Sequence, residues 1–572
     1  MDFKSKTSFR TILISVFFFL FLLIWTLWQF HFNYMVASYD TIFHSQRIYE
    51  IRLAFNSGQL PSWVNFHTFF FTGQAINGMY PDYTLWPFVF ITDFLTPIHQ
   101  IIAIRTIIAA LSFIVTYFSL SKRFDSMNAI LAASIFAMSG SVLKDLTGEM
   151  QTGTAIIMIF IFPLLFTLKD IIQSDKYNLR LIIKTALLMT LVVNSHLLTA
   201  VVITMVGGLF LIINTIIKRN YMAWFNLVIA ASLTLVLCLP IIYRIIKISK
   251  TGLLPPFGAG HIGSVYLIDL FKQPDWDAKS TFSASSIILL ILSLLGIRKW
   301  NLKKALPWLL LEVALIILSS NIFPWELFNH VPIIDNFQFS NWRFGIFLGV
   351  VPMILIFTTL KNNILTRILL IMTIASYPMA TYAAIHSQTF WTVQATTVTK
   401  YTQEQIPQDH PFYMTSTGIN SDKVIRSLLP DYSPDTTSLQ KGSNGMSLDW
   451  NMTNLLTNHV GQDGKKGVLL SRGKSSIKGI TWTANDIGKG KISLPTYGYK
   501  SLRYRVTLNG KHIPWSLNKQ SLITVSSRKN LKQAIYKVTW ITPKIYYLLM
   551  GVSFVVLTIM IWKLIYYKKV ER

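Results

Sequence analysis

Long apolar runs alternate with short polar joints along most of the chain. The first run covers residues 11–30, which is long enough for a helix to cross the hydrocarbon core of a bilayer. Comparable runs follow at 100–120, 128–139, 154–168, 181–195, 198–217, 222–243, 283–296, 305–321, 344–360, 364–386 and 545–567. The pattern predicts a polytopic α-helical membrane protein with about twelve transmembrane helices.

Lysine and arginine residues concentrate in several joints between these runs, at 122–123, 169–184, 218–219, 298–304, 361–367 and 568–572. If the N-terminus is cytoplasmic, all of these joints fall on the cytoplasmic side, as the positive-inside tendency requires. An additional span at 83–97 would invert most of them, so that stretch is interpreted as re-entrant or interfacial. We therefore predict a multi-pass membrane protein with both termini in the cytoplasm.

This orientation divides the chain into three parts. Residues 1–386 form a transmembrane domain with a first external loop at 31–98, residues 387–544 are external, and residues 545–572 form a last helix with a basic cytoplasmic tail. Within the external region, stretches of alternating polarity and the Asn509-Gly510 hairpin signal predict a small extracellular β domain at about 467–540. The cytoplasmic joints are too short to hold a nucleotide-binding domain.

The amino-acid composition is that of a membrane protein, and it limits the classes of molecule that the protein is expected to bind. Hydrophobic residues make up 52% of the chain and charged residues only 13%, with a mean hydropathy of +0.46, whereas soluble proteins are more polar. The formal net charge of +27 is interpreted as a topology signal, which favours contacts with membrane lipids and no binding of nucleic acid. Cys238 is the one cysteine, which excludes an intrachain disulfide and a cysteine metal site.

Three residues at the start of the first external loop are candidates for chemistry. If this segment is helical, Asp40, His44 and Arg47 lie on one face of the helix. Next to a membrane and among aromatic residues, a lower dielectric would raise the proton affinity of the Asp40 carboxylate and make it a usable base. The alternative interpretation is a solvated loop acid beside a basic residue.

Other polar residues on the predicted external face have two interpretations each. Arg343 with Trp342 forms either an interfacial anchor or a bidentate clamp for a lipid-linked phosphate. His196, between two apolar runs, either caps a helical hairpin or hydrogen-bonds a substrate. Asp145 and Glu149 are acidic neighbours of an external turn, but their spacing is not that of metal ligands, so a need for a divalent metal stays open.

Several short motifs resemble those of the YfhO-type family of bacterial membrane proteins, which look like GT-C glycosyltransferases. The first external loop matches at Asp40, Phe43, His44, Arg47, Gly58, Pro61, Gly73 and Tyr80-Pro81. Later matches follow in the family's order at His196 with Thr199, Gln338-Phe339, Trp342-Arg343-Phe344, Asp431-Tyr432 with Pro434, Leu494-Pro495 and Asn509-Gly510. One departure is that Ser340-Asn341 replaces the single proline before Trp342.

The resemblance implies transfer of a sugar from a polyprenyl-phosphate-linked donor to a cell-envelope acceptor, such as teichoic acid, at the outer face of a bacterial cell membrane. It implies that Asp40 acts as the base and that Arg343 and Arg47 hold the lipid phosphate. The substrate-binding residues expected around them are His44, His196, Gln338, Trp342 and Glu149.

The alternative function is a non-catalytic transporter of lipid-linked sugar, or a scaffold for envelope assembly. A transporter would need a continuous polar path through the spans. The runs carry few central charges, chiefly Arg105, Lys184 and Glu312, so a charge-lined route is not evident and chemistry at the outer surface is favoured.

Overall fold

The computed structural model describes residues 9–37, 40–139, 142, 152–256, 260–270, 284–297, 302–389, 396–397, 412–420, 428–437, 439–442, 445–463 and 466–570. The predicted acidic pair Asp145 and Glu149 therefore lies outside the described residues. Helices dominate the described chain as far as residue 389, and β-strands dominate between residues 439 and 541.

The α-helices are α1 Phe9–Phe30, α2 Thr41–Asn56, α3 Ile76–Met79, α4 Trp86–Ile91, α5 Pro97–Ser121, α6 Ser126–Ala137, α7 Thr152–Gln173, α8 Leu179–Val193, α9 Leu197–Lys218, α10 Met222–Leu237, α11 Leu239–Ser249, α12 Leu267–Leu270, α13 Ala284–Ile297, α14 Leu302–Ser319, α15 Ser340–Phe344, α16 Val350–Thr359, α17 Asn362–Thr389, α18 Trp450–Thr457 and α19 Lys544–Val570. Short 3₁₀ turns occur at Phe69–Phe71, Trp325–Phe328, Ile334–Phe337 and Gly345–Phe347.

The strands are β1 Tyr34–Ala37, β2 Thr396–Thr397, β3 Phe412–Thr415, β4 Leu439–Gly442, β5 Gly445–Leu448, β6 Val460–Asp463, β7 Lys466–Leu469, β8 Ser471–Arg472, β9 Gly479–Ile487, β10 Gly490–Tyr497, β11 Arg503–Leu508, β12 Lys511–His512, β13 Trp515–Leu517, β14 Leu522–Ser527 and β15 Leu531–Ile541.

Membrane-length helices account for most of the apolar runs. Within the described residues, seven helices are long and apolar enough to cross a bilayer: Phe9–Phe30, Pro97–Ser121, Thr152–Gln173, Leu197–Lys218, Ser340–Thr359, Asn362–Ile385 and Lys544–Tyr567. The chain is thus a helical membrane protein. The other predicted runs are also helical, but they form shorter or broken helices, so a total of about twelve crossings stays a prediction.

Two segments show how the sequence shapes these spans. Helices α10 and α11 meet at a 66° bend, because Pro240 in the first turn of α11 lacks the N–H that would continue the helix. The stretch 83–97, predicted to be re-entrant or interfacial, contains only the six-residue helix α4, which is too short to cross a bilayer.

Two five-stranded sheets enclose one apolar core near the C-terminal end of the described chain. Their strand orders are β13-β14-β10-β6-β7 and β12-β11-β15-β9-β8, and all of the pairings are antiparallel. The Asn509-Gly510 turn joins β11 to β12 with φ of 49° and 81°, which confirms the hairpin prediction. We call these two sheets, residues 460–541, the β sandwich; its independence as a domain stays a prediction.

The predicted first external loop is packed against the β sandwich. The Trp63 ring lies 5.2 Å from the Trp540 ring and is fully buried. The Tyr497 N–H donates to the Thr72 carbonyl oxygen at 2.7 Å. The loop therefore shares one hydrophobic core with the sheets and is held in a fixed conformation.

Candidate functional site

Helix α2 forms the floor of the candidate site, and it is buried on nearly every side. A helix with this burial belongs to the interior of the molecule and not to its surface. The fully buried Glu50 carboxylate accepts hydrogen bonds from the Phe66 N–H at 3.0 Å and from the Thr68 hydroxyl at 3.0 Å. The Gln46 side-chain oxygen accepts from the Phe69 N–H at 2.9 Å. These buried acceptors fold the loop after α2 back over the helix.

Residues 80–82 are held in place by two buried arginines. Arg47 donates to the Pro81 carbonyl oxygen at 2.7 Å, and its guanidinium carbon lies 4.1 Å from the centre of the Tyr80 ring. Arg244 donates to the Tyr80 carbonyl oxygen at 3.2 Å and forms an ion pair with Asp82 at 2.8 Å. The Tyr80 side chain is consequently fixed above Arg47 by cation–π contact and by two backbone hydrogen bonds.

His44 is a neutral hydrogen-bonding group in this site. Its Nδ1 lies 3.3 Å from an Arg47 nitrogen and 3.4 Å from the Thr152 hydroxyl. Since arginine can only donate, Nδ1 accepts and Nε2 carries the proton. Burial, followed by the charges of Arg47 and His196, holds the pKa of His44 well below its ordinary value.

His196 caps helix α9, as the structural interpretation predicted, and it also faces the site. Its Nδ1 accepts from the Thr199 N–H at 3.3 Å, so Nε2 carries the proton. The ring lies 5.9 Å from the Tyr80 ring. Burial, with the charges of Arg343 and Arg47, lowers the pKa of His196 to about 3. Both histidines therefore flank Tyr80 in the neutral form.

Arg343 lies close enough to Tyr80 to interact with it electrostatically. Its Nε donates to the Phe337 carbonyl oxygen at 2.8 Å, and its Nη2 donates to the Gln338 side-chain oxygen. Gln338 has φ 62° and ψ −64°, the values of a γ-turn that few residues adopt, and the Phe339 N–H closes the turn onto Phe337 at 2.6 Å. This strained turn aims the Gln338 amide at the guanidinium.

The departure from the family motif before Trp342 has a structural role. The Ser340 N–H donates to the Gly263 carbonyl oxygen at 2.9 Å, and the Gly263 N–H donates to the Gln338 carbonyl oxygen at 2.7 Å. A proline at position 340 would lack this donor. Trp342 packs on Phe339, with ring centroids 4.2 Å apart. Trp342 thus braces the turn that carries Gln338.

Asp40 lies in the turn that begins α2, at the open side of the site. Its backbone oxygen accepts from the His44 N–H at 3.1 Å, and its charge acts on Arg343. The residue is exposed, so the apolar surroundings expected from the sequence are not found. The carboxylate is instead accessible to a group that approaches from solvent.

Two tyrosines of the site, Tyr80 and Tyr432, belong to the short motifs noted in the sequence but had no predicted role. Tyr80 and Tyr432 both act electrostatically on Arg343 and on Arg47. Burial raises the pKa of Tyr432, which keeps its hydroxyl protonated. The Tyr499 hydroxyl donates to the Tyr432 carbonyl oxygen at 2.9 Å and so positions this tyrosine from the β sandwich. Only the motif positions could have indicated these residues, because their contacts are between distant parts of the chain.

The arrangement concentrates positive charge around Tyr80. Arg244 is neutralised by Asp82, but among the ion pairs of the described residues none involves Arg47 or Arg343. The Arg47 Nε is buried and lacks a hydrogen-bond partner within the described structure. Asp40 and Asp82 act on Arg343 and Arg47 as nearby charges, without forming an ion pair with them among the described residues. Both guanidinium groups therefore favour an anionic ligand, and their planar geometry suits phosphate.

A largely apolar cavity of about 260 Å³ lies among the membrane helices. It lies between α7, α9 and α14, and its lining includes Phe347 and Val351, which follow Arg343 by one and two helical turns. The rest of its lining is mostly aliphatic and aromatic, and its polar members are Lys169, Gln173, Asn214 and Lys218. Where side chains are described, no group of three residues suited to holding a metal ion is found.

Comparisons with known proteins give a distant structural likeness. No protein-family model and no curated protein matches the chain. A solved structure, that of ArnT from Cupriavidus metallidurans bound to undecaprenyl phosphate, aligns over 72% of this chain and 69% of its own, with 15% identity and a TM-score of 0.36. A likeness at this level carries no weight for the function, which is argued below from the site itself.

Proposed function

We propose that this protein is a membrane glycosyltransferase that moves a sugar from a polyprenyl-phosphate-linked donor to a cell-envelope acceptor such as teichoic acid. The observation that carries this proposal is the convergence of Arg47 and Arg343 on Tyr80, beside the exposed carboxylate of Asp40. A lipid-linked sugar needs an anion site at the leaving group, a base for the acceptor, and an apolar place for its chain. The motif resemblance to the YfhO-type family favours the same reaction.

The leaving group is a polyprenyl phosphate, whose negative charge grows as the bond to the sugar breaks. Arg343 and Arg47 are placed to stabilise this charge, and fixed donors in a water-poor site are effective because they need no reorganisation. The apolar cavity beside Phe347 accommodates part of the isoprenoid chain, which leaves the phosphate at Arg343.

Asp40 acts as the general base at the solvent side. Its carboxylate removes the proton from an acceptor hydroxyl, and the resulting oxygen nucleophile attacks the anomeric carbon. The new glycosidic bond forms as the bond to the lipid phosphate breaks, with inversion at that carbon. The proton remains on Asp40 until it is released to water.

His44 and His196 serve as hydrogen-bond donors to the sugar. Both have their Nδ1 occupied by protein donors, which leaves Nε2–H as the atom that can contact a substrate. Since the pKa of each is lowered, neither is expected to supply a proton near neutral pH.

The first test uses purified protein in nanodiscs, with a radiolabelled polyprenyl-phosphate sugar and an envelope-polymer acceptor. Asp40→Asn is expected to reduce transfer by about 10²–10⁴-fold while donor binding is retained, because only the base is lost. Asp93→Asn is the matched control, since Asp93 lies in the same loop and pairs with Arg52 at 3.5 Å, away from the site. Wild-type turnover by Asp40→Asn would exclude Asp40 as the base.

The second test measures donor affinity after Arg343→Gln, with Arg52→Gln as the control that removes the same charge from the same molecule. Arg343→Gln is expected to weaken donor binding roughly tenfold or more, because a charge-assisted hydrogen bond to phosphate is lost. Unchanged affinity would remove Arg343 from the phosphate site. Donor binding without transfer by the wild-type protein would instead favour the transporter or scaffold alternative.

A further inference from the structure

The β sandwich carries an unusual share of the chain's charge. Residues 466–541 contain fifteen lysine and arginine side chains and a single carboxylate, that of Asp486, in a chain whose formal net charge is +27. About half of the net charge therefore lies in these strands and not in the short joints that follow the positive-inside tendency. The positive-inside tendency therefore explains only the other half of the net charge.

Part of this charge is arranged on one flat surface. On β11 the side chains of Tyr504 and Val506 are buried, and those of Arg503 and Arg505 are exposed on the opposite side of the sheet. Lys537 of the neighbouring strand β15 is exposed on the same side, because it pairs directly with Thr507. We call the surface formed by Arg503, Arg505 and Lys537 the basic face.

Each cation of the basic face lies opposite a neutral residue. Arg505 pairs with Thr539, and Lys537 pairs with Thr507 on one side and Thr481 on the other. Like charges directly opposite one another are avoided, which keeps the face stable without counter-charges. The ion pairs among the described residues all lie outside residues 466–541. The positive potential of this face is therefore not cancelled by the protein.

The spacing of the face suits an extended anionic chain. Alternate residues on one strand are about 7 Å apart, so Arg503 and Arg505 present two guanidinium groups in a row along β11. Guanidinium groups bind phosphate oxygens in a bidentate manner, and the threonine hydroxyls between them can bond to polyol oxygens. A row of uncompensated cations on a flat surface attracts a polyanion more strongly than a single anion.

We propose that the basic face binds a linear polymer of phosphodiester-linked polyol units. That this polymer is the acceptor of the sugar rests on the proposed function. The binding of the polymer to the basic face does not depend on that function. In this arrangement the β sandwich retains the polymer while its reacting hydroxyl enters the site at Asp40. The face then raises the local concentration of acceptor and sets a preference for long anionic chains over short ones.

The test measures binding of polyglycerol phosphate to the full-length protein in nanodiscs of zwitterionic lipid. The face variant is Arg503→Gln/Arg505→Gln/Lys537→Gln. The matched control is Lys519→Gln/Arg528→Gln/Lys529→Gln, which removes the same charge from exposed turns that flank β14. We expect the face variant to bind at least ~10-fold more weakly and the control to change less than ~3-fold, since surface cations attract an anionic array only where they lie next to it.

Three results for polyglycerol phosphate overturn the proposal: no binding by the wild-type protein, equal losses in both triple variants, or unchanged binding by the face variant. A fourth is face-dependent binding only to phosphatidylglycerol vesicles, which would make the basic face a membrane contact. Sugar transfer to a short, uncharged acceptor is measured in parallel. Failure of transfer by the wild-type protein contradicts the proposed function, while polymer binding reports on the face alone. If both hold, the face variant raises the KM for long polymer and leaves the kcat for the short acceptor unchanged.

Discussion

The two histidines beside Tyr80 are the residues whose chemistry differs most from that of their free side chains. Both accept hydrogen bonds through Nδ1 from groups that can only donate in that geometry, and both are buried. Burial and neighbouring arginines disfavour the imidazolium, so these rings stay neutral in the folded protein. The sequence identified His44 and His196 as candidates, but only the contacts reveal which nitrogen carries the proton.

This neutral state predicts a loss of stability in acid. The pKa of His196 is about 3 in the folded protein, below its unfolded value near 6.5, so between these pH values the unfolded chain binds a proton that the folded chain does not. The free energy of unfolding should fall by up to about 1.4 kcal/mol per pH unit as the pH drops below about 6.5.

The corresponding measurement is Tm in detergent between pH 7.5 and 4.5. His196→Asn keeps an acceptor for the Thr199 N–H, since asparagine is a good helix cap, but it does not titrate in this range. Its pH slope should be shallower than that of the wild type, with the remainder due to His44 and other groups. His512→Asn, on the exposed strand β12, is the control and should keep the wild-type slope. Equal slopes for all three proteins would contradict the assignment.

At the scale of elements, the site depends on how closely helix α7 meets the turn before α9. Thr152 contacts His44, and the next residue, Gly153, lies directly against the Ser195 carbonyl oxygen. A Cβ at position 153 would overlap that oxygen, and both the helix end and the turn are backbone that cannot yield easily. One glycine thus lets α7 touch both histidine-bearing segments.

Gly153→Ala should therefore separate these segments. We expect a loss of stability of about 1–3 kcal/mol, as for overpacking in a tight interior, together with a loss of sugar transfer. Gly208→Ala on α9 is the matched control, because a Cβ there meets no atom within 4 Å, and alanine favours a helix by roughly 0.5–1 kcal/mol. Thermal unfolding and transfer assays check both variants. Wild-type behaviour of Gly153→Ala would show that the turn can move freely.

The buried ion pair between α11 and the first external loop gives a second prediction at this scale. Arg244→Met leaves the Asp82 carboxylate buried without its partner and should destabilise the protein by about 3–5 kcal/mol. The double variant Arg244→Met/Asp82→Asn removes both charges and should recover part of this loss. Thermal unfolding of the two variants measures the difference. A double variant as unstable as the single one would mean that packing, and not charge, governs this contact.

At the scale of the whole molecule, the apolar runs were predicted well from the sequence because hydropathy is a local property. Each predicted run is helical, and the strands between residues 467 and 540 were also expected. The structure brings His44, Arg47 and His196 together around Tyr80, and the functional roles predicted for them and for Asp40 and Arg343 stay predictions. The exposure of Asp40 and the γ-turn at Gln338 could not be predicted, since both result from packing between segments far apart in sequence.

The predicted orientation has a direct test. Cys238 is the one cysteine, and it is buried, so Cys238→Ser gives a chain without thiols in which single cysteines can be placed. A cysteine at Lys489, exposed on the β sandwich, should react with a membrane-impermeant maleimide in intact cells. A cysteine at Arg123 should react only after the membrane is opened. The reverse result would invert the topology and place the site on the cytoplasmic side.

The hydroxyl group of Tyr499 has a consequence for biosynthesis. It accepts from the Ala75 N–H at 2.8 Å and donates to the Tyr432 carbonyl oxygen at 2.9 Å, so it joins its own strand region to segments 424 and 67 residues earlier in the chain. During synthesis, the ribosome completes most of the membrane helices long before this tyrosine is made. A nascent chain that ends before residue 499 can insert its helices, but it lacks the hydroxyl group that binds the Tyr432 carbonyl oxygen and positions this residue in the site. The candidate site is therefore expected to form only after the last strands have been translated, which delays the proposed sugar transfer until assembly is complete.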